Sequence, residues 1–194
     1  MQLASLLPLV PLLREIEHQK YVKAYAIENY RMGAARKADA VRDLSALPCR
    51  GSYLDVGCGR GEMLREAKRL GFHPIMGTEI VMDLINGRDI VYAEAHELSF
   101  GNRSYDVVTM FDVIEHLIQG DDELACKELL RVTNRHILIT ANNLTSQKAI
   151  GDELHINRRS YAEWDYLFKT WFPGEVTWLK EPRAHVSECW RIDR

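Results

Sequence analysis

The octapeptide Leu54-Asp-Val-Gly-Cys-Gly-Arg-Gly61 constrains this chain more than any other stretch, because it joins a short apolar run to a helical one. Glycines at alternate positions let the backbone turn sharply and let a ligand come close to it. Residues 52–56 have the length and composition of a buried strand, and residues 62–70 have the pattern of a helix that stops at Gly71. Strand, glycine turn and helix in that order place a ligand at the carboxyl end of a parallel sheet.

The alternation continues along the chain. Strands are expected over 74–79, 90–93, 105–110 and 136–141, with a helix over 121–131 between the last two. Ten residues separate Glu79 from Ile90, which leaves room for a turn or two of helix in the second crossover. Another helix begins at Ser160, with Glu163 at capping-box spacing and Tyr161, Trp164, Leu167 and Phe168 on one face. Residues 175–179 and 187–192 read as two closing strands. The sum is an α/β fold, a doubly wound, seven-stranded and mostly parallel sheet. Residues 15–44 look helical, with a break at 32–36. The expected organisation is one domain over 1–194, with a helical lid or cap over 1–47 and the core over 48–194.

Composition narrows the class further. With 46% hydrophobic and 27% charged residues, the chain has the make-up of an ordinary soluble globular protein and carries no apolar run long enough for a membrane span. The apolar opening over 1–13 has no basic residue and is interrupted by Pro8 and Pro11, so it reads as a docking or lid segment rather than a signal peptide. A cytoplasmic protein is expected. Cys49, Cys58, Cys126 and Cys189 form no Cys-x-x-Cys pair, so neither a metal site nor a disulfide framework is expected. The net charge of −3 is uneven: residues 1–50 hold eight Lys and Arg against five Asp and Glu. This is far from the basic surface that grips a phosphate backbone, and nucleic acid is not the expected partner.

The ligand class follows from residues beyond the loop. Glu79 ends the second strand 22 residues after Gly57, where its carboxylate can accept hydrogen bonds from both hydroxyls of a ribose. The Gly-x-Gly-x-Gly spacing differs from the Gly-x-Gly-x-x-Gly that opens onto a dinucleotide pyrophosphate. The chain also lacks a Tyr-x-x-x-Lys pair, which disfavours a nicotinamide oxidoreductase.

Leu54–Gly61 resembles motif I of the class I S-adenosylmethionine-dependent methyltransferases, with Asp55 as its acidic residue. Ala93-Glu-Ala-His-Glu-Leu-Ser-Phe100 is similar to the segment after the third strand in that family, although Glu94 stands for the commoner Asp and Ser99 for the commoner Pro. Tyr105-Asp-Val-Val-Thr-Met-Phe-Asp-Val-Ile-Glu-His-Leu117 is similar to the fourth-strand motif of the ubiquinone-biosynthesis-like, or type 11, branch. The resemblance covers residues 50–142 and implies S-adenosylmethionine as cofactor and S-adenosylhomocysteine as product. By that match Asp55, Gly57, Cys58, Gly59 and Gly61 form the loop, with Glu79 and Ile80 at the ribose. Glu94, Ala95 and His96 lie by the adenine, and Phe111 and Asp112 beside the methyl group. Arg31 is the expected partner of the cofactor's carboxylate.

The cofactor brings an activated methyl group, so the protein must chiefly align a nucleophile, with a base where that nucleophile carries a proton. His116 and His155 are the candidate bases. Tyr21, Tyr25, Tyr30, Asn142, Asn143 and Arg158 are candidates for the acceptor side. The expected acceptor is a small molecule or a glycan-type metabolite. A nucleic-acid methyltransferase and a non-catalytic S-adenosylmethionine-binding module are the alternatives. The first is disfavoured because Phe111-Asp-Val-Ile replaces the Asn/Asp-Pro-Pro-aromatic tetrad of amino-methylating DNA enzymes.

Overall fold

A computed structural model describes residues 9–147 and 150–194, so most of the apolar opening segment lies outside the described residues. Two helices, α1 (Leu9–Tyr25) and α2 (Ala34–Ser45), precede the first strand. Then follow β1 (Tyr53–Val56), α3 (Glu62–Arg69), β2 (Ile75–Glu79) and β3 (Ile90–Tyr92). β4 (Tyr105–Phe111), α4 (Asp121–Val132) and β5 (Thr133–Ala141) continue the alternation, and α5 (Tyr161–Trp171), β6 (Glu175–Leu179) and β7 (Glu188–Asp193) close it.

The strands make one sheet in the order β3-β2-β1-β4-β5-β7-β6. β1 runs parallel to β2 and β4, β2 to β3 and β4 to β5, whereas β7 is antiparallel to both β5 and β6. The order therefore reverses at β1, and the crevice of such a sheet opens there. The second crossover is as short as its sequence requires, a 3₁₀ turn over Met82–Leu84.

Alternation along the strands divides the core between two faces. Leu54, Val108, Met110, Ile137 and Ile139 pack with Ala125 and Leu129 of α4 and with Trp164 and Phe168 of α5. Tyr53, Val107 and Leu138 point to the other side, against Ala40 and Leu44 of α2 and Met63 and Leu64 of α3. The capping box of α5 forms as its spacing requires: Ser160 Oγ accepts from Glu163 N–H at 3.2 Å, and Glu163 Oε2 accepts from Ser160 N–H at 2.7 Å.

The N-terminal region departs from expectation. α1 starts at Leu9 with Pro11 in its first turn, where proline's missing N–H costs no helical bond. The break falls over 26–33 rather than 32–36. Arg60 reaches up from the glycine loop and donates to the carbonyls of Tyr25 at 2.8 Å and Tyr30 at 3.2 Å, holding the chain out of helix there.

Candidate active site

At the carboxyl ends of β1, β2 and β4 the loops surround a cavity of about 450 Å³. The glycine loop is its first wall. Gly57 and Gly59 have φ of 72° and 54°, a region that disfavours any residue with a Cβ. A Cβ on Gly59 would stand 2.5 Å from Tyr25 Oη, so the loop and the α1 tyrosine meet without spare room. The N–H groups of Gly57 and Cys58 donate to Thr78 O at 3.0 and 2.9 Å, which ties the loop to β2. Burial pushes the Cys58 thiol pKa up, so it stays protonated and is no nucleophile.

Glu79, at the end of β2, is buried. Its Oε2 accepts from Gly59 N–H at 2.9 Å, and its Oε1 accepts from Ile80 and Val81 N–H at 2.8 and 3.2 Å. Burial raises its pKa, against the effect of these three bonds. A carboxylate offers about four acceptor sites, so Glu79 is locked in position and still has capacity toward the cavity that it lines. Ile80, Glu94, Ala95 and His96 lie on the same cavity. Tyr92 Oη donates to Glu94 at 3.0 Å, and His96 Nδ1 is 3.8 Å from Glu94 and 3.9 Å from Asp121.

β4 delivers Phe111 and Asp112. Asp112 adopts a positive φ of 52°, a conformation costing roughly 1–2 kcal/mol outside glycine. Three contacts hold it there. Its N–H donates to Thr140 Oγ1 at 2.8 Å, its Oδ1 accepts the Thr140 hydroxyl at 2.7 Å, and its Oδ2 lies 2.6 Å from Arg36 Nε.

The third wall holds the two candidate bases. His116, in the 3₁₀ turn Ile114–His116, bonds Leu154 O through Nδ1 at 2.8 Å, and His155 bonds Leu144 O through Nδ1 at 2.6 Å. A carbonyl only accepts, so both Nδ1 atoms carry the proton and the other ring nitrogen carries the lone pair. The rings meet edge to face at 4.6 Å, and Tyr21 stands edge-on to His116 at 5.3 Å. Burial lowers the pKa of both, that of His116 to about 3. A general base works best with a pKa near the operating pH, and burial moves both rings below it.

α1 and the segment after it make the roof, with Tyr21, Tyr25, Tyr30 and Arg31 on the cavity. Arg14 clamps α1 to the start of α4, donating to Asp121 at 2.8 and 2.5 Å. Tyr21 Oη and His18 Nε2 are buried without a hydrogen-bond partner among the described residues. Both belong to residues that line the cavity, and unpaired buried polar atoms there suit a polar ligand.

Five expected site residues lie off the cavity wall among the described residues. Asp55 is buried beneath the loop, accepting from Thr109 Oγ1 at 2.7 Å, and burial raises its carboxyl to about 7. Gly61, with φ 70°, forms the N-terminal boundary of α3. Asn142 is turned to its own loop, accepting from Leu144 N–H at 2.8 Å. Asn143 follows it outside the wall, and Arg158 is exposed. The neighbouring Arg159 pairs with the buried Asp122 at 2.6 Å and stacks on Trp164. Conversely, sequence reasoning passed over His18, Arg36 and Glu115. His18 and Arg36 belong to no motif, and Glu115 lies within the Tyr105–Leu117 segment with nothing local to mark it.

A family profile described as a methyltransferase domain matches residues 18–174. The chain belongs to the class I S-adenosylmethionine-dependent methyltransferases. Solved structures agree on the fold. Burkholderia thailandensis 1,6-didemethyltoxoflavin-N1-methyltransferase superposes with a TM-score of 0.74 at 15% identity, covering 95% of this chain and 90% of that one. A SAM-dependent methyltransferase from Archaeoglobus fulgidus gives 0.64 at 18% identity, covering 81% and 92%. A protein from Pyrococcus horikoshii OT3 gives 0.66 at 17%, covering 85% and 93%. A comparison with curated protein sequences returns no match.

S-adenosylmethionine is this methyltransferase's cofactor, and the residues present fit it. Gly57, Cys58 and Gly59 line the cavity, Glu79 offers a fixed carboxylate, and Tyr21 and His18 leave polar atoms for it to satisfy. Among the described residues no helix is long and apolar enough to cross a membrane.

Proposed function

We propose that this methyltransferase transfers the methyl group of S-adenosylmethionine to a small-molecule acceptor held between the α1 roof and the His116–His155 wall. The observation that carries the reading is the continuity of one cavity from Gly59 and Glu79 to His116 and His155, under a helical roof. Its volume, about 450 Å³, falls in the range of small-molecule sites, about 300–1,000 Å³. Sugar-type metabolites belong to the same size class. A nucleic-acid backbone instead calls for an open basic groove, which a roofed cavity in a chain of net charge −3 does not offer. The Burkholderia structure, of similar fold, holds 1,6-didemethyltoxoflavin together with S-adenosylhomocysteine.

When bound, the cofactor supplies a methyl group already activated on sulfonium. The protein's part is alignment. Glu79 takes the ribose hydroxyls, Glu94 with Ala95 and His96 bounds the adenine side, and Arg31 meets the carboxylate. Phe111 and the strained Asp112 fix the wall nearest the transfer. Tyr21 and Tyr25 cover the cavity and keep water out, so α1, α2 and the segment between them act as a lid on the core. Holding two reactants in line is worth much of the rate by itself.

Calorimetry with S-adenosylhomocysteine tests the cofactor half: binding to the wild type is expected, with a large loss in Glu79→Ala. An absence of binding to the intact protein would end the enzyme reading. Incubation with a metabolite panel and isotopically labelled cofactor then tests the acceptor half. Label recovered only in nucleic acid or protein would overturn it.

A further inference from the structure

The third wall contains more than two histidines. Glu115, His116 and His155 each offer one ligand atom, and the three atoms lie within 4.8 Å of one another. Glu115 is fully buried, its Oε1 accepts from Asn142 N–H at 3.1 Å, and its Oε2 has no partner among the described residues. An unpaired carboxylate oxygen in the interior loses its hydration without compensation, so its retention calls for a partner.

The histidines are oriented as ligands are. Each spends Nδ1–H on a backbone carbonyl, Leu154 O for His116 and Leu144 O for His155. That is the outer-shell bond that fixes ring and tautomer in metal-binding histidines and leaves Nε2 to coordinate. The backbone is fixed around them as well: Asn157 N–H donates to Glu115 O at 2.9 Å, linking the 3₁₀ turn to the segment that carries His155. His116 and His155 both line the cavity, so a cation here faces the acceptor space and not the solvent.

We propose that Glu115, His116 and His155 bind one divalent first-row transition cation on the acceptor side of the cavity, as a two-histidine, one-carboxylate site. Two imidazoles with a single carboxylate favour zinc, manganese, iron or cobalt over magnesium or calcium, which prefer all-oxygen sites. Three protein ligands leave coordination positions open toward the cavity. An acceptor presenting an oxygen can occupy one of them, and this second point rests on the small-molecule reading above. The absence of Cys-x-x-Cys pairs argues only against thiolate sites. This cluster draws on residues 39 positions apart, which no local spacing shows.

The test uses the full chain, free of any histidine tag and stripped with a chelator, and Co²⁺ as the probe. The wild type is expected to bind one Co²⁺ per chain with visible d–d absorption bands. Glu115→Gln and His155→Ala are each expected to lose at least ~10-fold in Co²⁺ affinity. S-adenosylhomocysteine affinity, measured on the same samples, is expected to stay near that of the wild type and reports folding. Should Glu115→Gln fail to fold, His155→Asn, on a partly exposed segment, serves in its place. No saturable Co²⁺ binding to a wild type that binds S-adenosylhomocysteine overturns the site. So does unchanged Co²⁺ affinity in the folded variants. A protein that binds Co²⁺ as stated but methylates no small molecule keeps the site and refutes the acceptor reading.

Discussion

Glu79→Gln isolates the role of one oxygen. In the wild type Oε1 takes two backbone N–H groups, from Ile80 and Val81, while Oε2 takes one, from Gly59. An amide must put its NH₂ in one of those places. The Oε2 place sacrifices one bond and the Oε1 place two, so the NH₂ settles opposite Gly59 N–H, donor facing donor. Two consequences follow. The glycine loop loses its tie to β2 through the side chain, and the cofactor ribose meets a donor in place of a charged acceptor. A hydrogen bond to a charged group contributes about 1.5–3 kcal/mol, so S-adenosylhomocysteine affinity should fall by roughly 10- to 150-fold. Stability should change less, because removing a buried charge offsets part of the lost bond. Titration calorimetry gives the affinity and thermal denaturation without ligand gives the stability. An affinity within about threefold of wild type, in a variant that melts normally, would refute the placement of Glu79 at the ribose.

Asp55 provides a pH signature. Burial raises its carboxyl from 3.8 to about 7, so between those values the folded chain holds a proton that the unfolded chain has released. Its contribution to stability therefore falls as pH climbs from about 4 to 7 and is level above. The melting temperature of Asp55→Asn relative to wild type should rise over that window, and a pH-independent difference would contradict this. Arg36→Ala leaves the fully buried Asp112 carboxylate without its cation and should destabilise the fold by about 2 kcal/mol, between an exposed pair and a fully buried one because Arg36 is partly exposed. Adding Asp112→Asn should recover most of that loss in urea denaturation; no recovery would show that the pair is not the cause. Arg14→Ala should cost under about 1 kcal/mol globally, since that ion pair is partly solvated. Hydrogen exchange in α1 should nevertheless quicken while the strand amides stay unchanged, and uniform exchange across both would contradict a separately anchored roof.

The parts legible in the sequence are those with local causes. The β1–glycine loop–α3 unit and the capping box of α5 each follow from residues within one turn of each other, and both form as their spacing requires. Glu79 and Phe111 reach the cavity because strand register fixes where strand ends fall. The boundary between α1 and α2 was not legible, because Arg60, 30 residues beyond Tyr30, supplies the hydrogen bonds that hold the break. Asn142 and Arg158 looked available from their position after β5. The loop spends Asn142 on its own backbone and turns Arg158 outward. Arg36 was invisible for the same reason as the Glu115 cluster: each acquires meaning only through a partner distant in sequence.

The two ends of the cavity are therefore held by different kinds of structure. Backbone and strand ends, tied by Thr78 and Glu79, define the cofactor end and tolerate little change. The end proposed for the acceptor is assembled from α1, the 3₁₀ turn at Ile114–His116 and the segment bearing His155. Of α1 only Ala24 is buried, and what holds the helix down is a handful of polar contacts such as Arg14–Asp121 and Lys20 to Glu153 O at 3.1 Å. An element with so little buried apolar surface opens locally at a small fraction of the cost of unfolding. Tyr25 rests on Gly59, so a ligand reaching the glycine loop must displace it. On the proposed reading, local opening of α1 is expected to expose the glycine loop and the His116–His155 wall together, which slower hydrogen exchange in α1 on ligand binding would report.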